Sequence, residues 1–152
     1  MERTTTKALV LRAAIEHLRG LGIELRERID ELKAVTIGDD NAESASQTES
    51  LHGSDVDVMN GLAQQIEQVQ RDIALLEGID PAERHESVRF GSLVRTDRRD
   101  LLVATGIEQF EAGGRSYLGL SPRAPLFRIL SGKRKGDQVE FNHVTYKIEE
   151  VI

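Results

Sequence analysis

Near the start of the chain, Leu11, Ile15, Leu18, Gly22, Leu25, Ile29 and Leu32 follow one another at alternating steps of four and three. Met59, Leu62, Ile66, Val69, Ile73 and Leu76 repeat the pattern in the opposite phase. This is a heptad-like seam, and the residues around the first run are charged: Arg12, Glu16, Arg19, Glu24, Arg26, Glu27, Arg28, Asp30, Glu31 and Lys33. The spacing predicts a helix over residues 7–35, with Thr4, Thr5 and Thr6 as candidate N-caps, and a second helix stopped near Glu77-Gly78 ahead of Pro81. A helix of the first length reaches on the order of 40 Å and would expose its apolar seam if alone. The second seam matches it, so the two are expected to pair as an antiparallel hairpin. Gly20 and Gly22 each cost about 1 kcal/mol relative to alanine. Gly22 sits on the seam itself, where it predicts either a close approach of the partner helix or a bend.

Between the seams the period breaks, over residues 37–54. Gly38, Asn41 and Gly53 fall here among Ser44, Ser46, Thr48, Ser50 and Ser54, with Thr36 at the edge. Residues 34–70 contain no Lys or Arg, yet hold Asp39, Asp40, Glu43, Glu49, Asp55, Asp57 and Glu67. Such a composition builds no core. It predicts a polar, acidic tip, and two long helices serve chiefly to carry it outward.

After a linker at residues 81–87 the pattern becomes strand-like. Val88, Phe90 and Val94 precede a polar turn, Thr96-Asp97-Arg98-Arg99, and an apolar run follows from Leu101 to Ile107. Gly113-Gly114 turns the chain into a strand over residues 116–120. Ser121-Pro122 stops that strand and can cap a short helix over about residues 124–130, with Ser121 at the N-cap and Pro122 at the first helical position. Gly136-Asp137 is another turn, and Asn142-His143 a tight hairpin turn between Val139-Phe141 and the alternating Val144, Tyr146 and Ile148. The expected fold is α+β: a helical hairpin at residues 1–80 with its acidic tip at about 37–54, then a small antiparallel sheet with one short helix at residues 88–152.

Composition narrows the function. Hydrophobic residues make up 39% of the 152 and aromatics 4%, which suits an elongated helical part plus a small compact part. With no cysteine there is neither a disulfide nor a thiolate metal site. No apolar run reaches the roughly 20 residues of a membrane span, and no apolar stretch follows Met1-Glu2-Arg3-Thr4 as in a signal peptide. A cytoplasmic location is expected, with no membrane partner. The net charge of −6 is uneven: residues 1–87 carry 9 Lys or Arg against 18 Asp or Glu, and residues 88–152 carry 11 against 8. An acidic arm would be repelled by duplex phosphates, while a mildly basic head could serve a different surface. His17, His52, His85 and His143 have no second ligand at zinc spacing, and no phosphate loop or nucleophile elbow is present. Lys133-Arg134-Lys135 has no interleaved aromatics for base stacking and reads as a solvated turn.

One stretch carries a resemblance. Ser121-Pro122-Arg123-Ala124-Pro125-Leu126, Leu130-Ser131-Gly132-Lys133, Gly136-Asp137-Gln138-Val139-Glu140-Phe141 and Tyr146-Lys147-Ile148 resemble, in order and spacing, the C-terminal domain of the bacterial transcript cleavage factors GreA and GreB. The hairpin with its acidic tip is similar to the other half of that family's architecture. The resemblance implies an FKBP-like C-terminal domain that docks on RNA polymerase at the mouth of the secondary channel, with Ser121, Pro122 and Arg123 on the docking surface. It implies that the coiled coil enters the channel and that tip carboxylates, here Asp39, Asp40 and Glu43, act on backtracked RNA. Asp39 and Asp40 would share a Mg²⁺ ion with the polymerase active site, so the chain has no cofactor of its own and only indirect contact with nascent RNA. It would act as a monomer and would stimulate the polymerase's intrinsic cleavage rather than cut RNA itself.

The family's tip signature is glycine-aspartate, two residues, then glutamate-asparagine-alanine-glutamate-tyrosine. Here Gly38-Asp39-Asp40-Asn41-Ala42-Glu43-Ser44 keeps Gly38-Asp39 and Asn41-Ala42-Glu43 in a shorter segment, with Ser44 in place of the tyrosine. The alternative is therefore a Gre-fold regulator or inhibitor of the polymerase without cleavage activity. A coiled-coil adaptor and an FKBP-type prolyl isomerase rank below both. An adaptor would leave a seam open, and the isomerase would need an aromatic-lined pocket from Phe90, Phe110, Phe127, Phe141, Tyr117 and Tyr146, which must also build the core.

Overall fold

The computed structural model describes residues 2–38 and 45–152, with side chains over 6–35 and 55–152. In chain order the elements are α1 (Glu2–Gly38), α2 (Ala45–Glu77), β1 (Leu93–Thr96), β2 (Asp100–Val103), β3 (Ile107–Ala112), β4 (Arg115–Leu120), α3 (Pro125–Leu130), β5 (Gln138–Phe141) and β6 (Val144–Val151). The protein is α+β, with three helices among the described residues and a six-stranded, mostly antiparallel sheet. Two compact units divide it: Met1–His17 with Ile73–Ile152, and Leu18–Asp72.

The unit Leu18–Asp72 is a pair of helical segments. The heptad positions Leu18, Leu25, Leu62 and Val69 are buried, and Gly22, Ile29, Leu32, Met59 and Ile66 are half-buried. Ile23, Val35, Val56 and Val58, off the seam, are exposed. A Cβ built on Gly22 would stand 3.5 Å from Val69 Cγ1, which fixes the level at which the helices touch. Gly22 is sixteen residues before Gly38, and Val69 is twenty-four after Ala45. In a parallel pair those helix ends would lie about 60 Å apart at ~1.5 Å per residue. The seven Cα steps from Gly38 to Ala45 span at most roughly 25 Å, so the pair is antiparallel.

Both helices are longer than the hydrophobic period predicts. α1 runs to Gly38 and α2 starts at Ala45, so the segment 45–54 is helical although its composition reads as a connector. Ser, Thr and Gln cost a helix only a few tenths of a kcal/mol each, and the stretch has no proline. Polarity there does not mean the lack of a helix.

In the unit Met1–His17 with Ile73–Ile152, the start of α1 has a second buried stripe. Lys7, Val10 and Ala14 are buried beside the seam residue Leu11. The ring of His17 lies 6.2 Å from that of Phe110 of β3, tilted by 37°, and Leu9 Cδ2 approaches Gly113 in the β3–β4 turn. α2 stops as expected at Glu77. The Gly78 amide still donates to Ala74 O at 3.2 Å, and then Asp80 accepts from the Ala82 amide at 2.9 Å and turns the chain.

The sheet order is β3-β4-β2-β1-β6-β5. The expectation of a wholly antiparallel sheet is corrected at one place: β2 and β4 are parallel, with Asp100 opposite Tyr117 and Val103 opposite Leu120. The apolar run 101–107 is not one strand. It breaks after Val103, and the β3–β4 hairpin, turned at Gly113 and Gly114 with φ of 57° and 79°, folds back so that β4 lands beside β2. One core forms around Val88, Val94, Leu101, Val103, Leu120, Leu130, Val139, Ile148 and Val151, with Leu126 and Phe127 of α3 packed on it. β2 is buried along its whole length. Asn142 and His143 take φ of 52° and 64°, the type I′ geometry the hairpin requires.

Candidate functional site

The tip carboxylates Asp39, Asp40 and Glu43 lie outside the described residues, as do Asn41, Ala42 and Ser44. The helices on either side bring the chain back on itself with these six residues between Gly38 and Ala45. Farther down α2, Asp57 and Glu67 are exposed and Asp55 is half-buried. Among the described residues no group of three or more His, Cys, Asp or Glu is placed to hold a metal ion.

Ser121, Pro122 and Arg123 form the link from β4 to α3. Leu120 is buried and anchors its start, Ser121 is half-buried, and Pro122 and Arg123 are exposed. The hydroxyl of Ser121 accepts the Arg123 amide at 3.1 Å, and its carbonyl accepts the Ala124 amide at 2.9 Å. Ser121 is therefore not the N-cap of α3. Ala124 holds that position without a side-chain bond, and Pro125 takes the first helical turn. The sequence offers two prolines, and a serine whose bond goes to the amide two residues on makes a turn of its own. The result is a preformed surface turn that presents Pro122 and Arg123 to solvent. Beyond α3, Lys133, Arg134 and Lys135 are all exposed, as a solvated turn should be, with the Arg134 amide closing on Asp137 Oδ2 at 2.8 Å.

Two charged clusters escape the sequence reading. Lys7 is fully buried, and its ammonium donates to the main-chain carbonyl of Glu83 at 2.8 Å. Burial pushes its pKa below the usual lysine value, against the pull of Glu83 and Asp80. His85, also buried, is held below its ordinary pKa first by desolvation and then by the charges of Lys7 and Arg89, with Glu83 opposing. The signal available was the spacing of Lys7 three before Val10 and seven before Ala14, which puts it on an apolar stripe. In the second cluster, Arg115 donates from Nε to Asp100 Oδ2 at 2.9 Å, and its Nη2 forms an ion pair with the same oxygen at 2.9 Å. That hydrogen bond, and then the carboxylate's charge, raise the arginine's pKa. β2–β4 pairing brings these residues together, which no local pattern reveals.

No family model and no curated protein matches the chain. Among solved structures, that of the transcription factor Gfh1 is similar at 15% identity over 91% of this chain and 93% of that one, with a TM-score of 0.34.

Proposed function

We propose that this chain is a Gre-like transcription factor that acts on RNA polymerase. Its sheet domain, of the FKBP-like class, docks at the secondary channel through Ser121, Pro122 and Arg123. The helical pair enters the channel as a coiled coil and carries Asp39, Asp40 and Glu43 toward the active centre. The observation that supports this best is the antiparallel seam. Leu18, Leu25, Leu62 and Val69 are buried along it, and the six residues joining the helices include three carboxylates. Carboxylates are hard oxygen ligands suited to Mg²⁺, and a second metal at a phosphoryl-transfer centre stabilises the attacking and leaving oxygens. On this reading Asp39 and Asp40 supply ligands to the polymerase's ion, and the chain has no activity alone.

The second reading, a regulator or inhibitor without cleavage, is favoured by the shortened segment Gly38 to Ser44. It shares the docking and loses only the chemistry. The experiment uses stalled, backtracked elongation complexes with and without the protein. The first reading predicts RNA shortening that Asp39→Ala with Asp40→Ala abolishes. Binding without shortening selects the second, and no binding to polymerase ends both. For the docking turn, exchanging Pro122→Ala with Arg123→Glu is expected to weaken capture of polymerase; unchanged capture would remove the turn from the interface.

A further inference from the structure

A cleft of about 260 Å³ opens beside the start of β2, lined by Arg98, Arg99 and Asp100 on one side and by Gln109, Ser116 and Tyr117 of the β3–β4 hairpin on the other. The strand register accounts for its position. β2 begins at Asp100, opposite Tyr117, so Arg115 and Ser116 at the head of β4 run past its end.

The polar groups around this cleft are unbalanced toward donors. Asp100 is the one carboxylate in the lining, and Arg115 engages it with a hydrogen bond from Nε and an ion pair from Nη2, each at 2.9 Å. Arg98 commits only Nε, to the carbonyl of Thr145 at 2.9 Å, and keeps both terminal amino groups. Arg99 has no side-chain partner among the described residues. Ser116 accepts from Gln109 Nε2 at 3.2 Å, which leaves its hydroxyl proton to donate. A second cleft, of about 320 Å³ around His85, lacks this imbalance, since Arg84 and Lys135 there are offset by Glu86 and Glu150.

The turn that carries the two arginines is ordered by its own bonds. Thr96 Oγ1 accepts from the amides of Arg98 at 3.2 Å and Arg99 at 2.8 Å, and donates to the Arg99 carbonyl at 2.6 Å. Asp97 pairs with Lys147 through both its amide at 3.1 Å and its carboxylate at 2.8 Å. A ligand that meets these guanidinium groups therefore has little backbone to immobilise.

We propose that this cleft binds a phosphoryl dianion, held between the free amino groups of Arg98 and the guanidinium of Arg99, with the Ser116 hydroxyl as a further donor. Planar guanidinium groups match the oxygens of a phosphate in charge and geometry. The cleft's size admits one phosphoryl group with a small substituent rather than a run of nucleic-acid backbone. The site is independent of the polymerase reading, and its test involves no polymerase.

The full chain, labelled with ¹⁵N, is titrated at constant ionic strength with inorganic phosphate, phenyl phosphate and dimethyl phosphate. Saturable shifts at the amides of residues 97–100 and 116–118 are expected for the first two ligands. Tighter binding of phenyl phosphate identifies a monoester as the natural ligand, and tighter binding of inorganic phosphate identifies the free ion. Arg99→Ala is expected to weaken binding about tenfold or more, since it removes a charge-assisted pair. Arg99→Lys should restore part of it, and Arg134→Ala, in the turn before β5, should leave it unchanged. A linear, unsaturating response, equal binding of the singly charged diester, or an unchanged dissociation constant in Arg99→Ala would each overturn the proposal.

Discussion

The ammonium of Lys7 and the main-chain carbonyl of Glu83 are joined at 2.8 Å across 76 residues of sequence, with the lysine itself buried. One bond thus ties the first turns of α1 to the segment that leads from α2 into the sheet. Truncation by Lys7→Ala removes a buried stem and strands an acceptor, for an expected loss of about 2–4 kcal/mol in denaturant unfolding. Lys7→Met keeps the volume and removes a desolvated charge, so it should cost under about 1.5 kcal/mol. Equal losses in the two variants would place the energy in the bond rather than in the packing.

The same cluster sets a dependence on pH. The folded pKa of Lys7 lies below its unfolded value of 10.5, so the unfolded chain binds more protons between the two. The stability difference between the native protein and Lys7→Met should therefore move in the native protein's favour as pH rises toward 10.5. His85 has the same sign lower on the scale. Its folded pKa lies below 6.5, first because burial disfavours the charged ring and then because Lys7 and Arg89 oppose its protonation, with Glu83 favouring it. Stability present above pH 6.5 is lost as pH falls through the folded pKa. Urea midpoints measured from pH 7.5 to about 5 should fall less in His85→Gln than in the native chain; parallel curves would contradict the assignment.

Glycines in the arm and in the sheet should respond oppositely to alanine. A Cβ at Gly20 meets nothing within 4 Å, and one at Gly22 meets Val69 at ordinary contact distance. Gly20→Ala and Gly22→Ala are each expected to stabilise by about 0.5–1 kcal/mol, read as a higher melting temperature. At Gly119 a Cβ would fall inside the contact distance of the Thr105 carbonyl oxygen and lie 2.7 Å from Ile107 Cβ, where β3 shifts register against β4. Gly119→Ala should cost about 3 kcal/mol or more, since main chain must move.

The β5–β6 turn allows a gain. His143 holds a φ of 64°, which glycine adopts without strain. His143→Gly makes the pair Asn-Gly, the preferred type I′ sequence, and should stabilise by roughly 0.5–1 kcal/mol. A loss in thermal unfolding would indicate that the histidine side chain has a contact worth more than the strain.

The helical pair was readable because steps of three and four leave little choice of element, and the residues on those steps are the buried or half-buried ones. The first ten residues of α2, before Asp55, were not readable as helix, since their polar sequence carries no apolar period. In the sheet, the turns at Gly113-Gly114 and Asn142-His143 were legible from residue type. The parallel β2–β4 pair was not, because sequence order suggests neighbours and β4 enters beside a strand that is not adjacent in the chain. Lys7 was missed because a lysine is taken for a solvated flank, although its spacing to Val10 and Ala14 puts it on a buried stripe. Ser121 and Pro122 were found, yet their local role differs, because Pro125 rather than Pro122 begins α3.

The central claim is that the acidic connection between α1 and α2 reaches the polymerase active centre. The chain has no cysteine, so Asp40→Cys creates a unique attachment point for an iron chelate that cuts nearby protein and RNA. Bound to a stalled elongation complex, this probe is predicted to cut the walls of the secondary channel and the RNA end at the active centre. The same probe at Glu140→Cys on β5 should cut neither the active centre nor the RNA end. Cuts from residue 40 confined to the polymerase exterior, or the same pattern from both positions, would contradict the account.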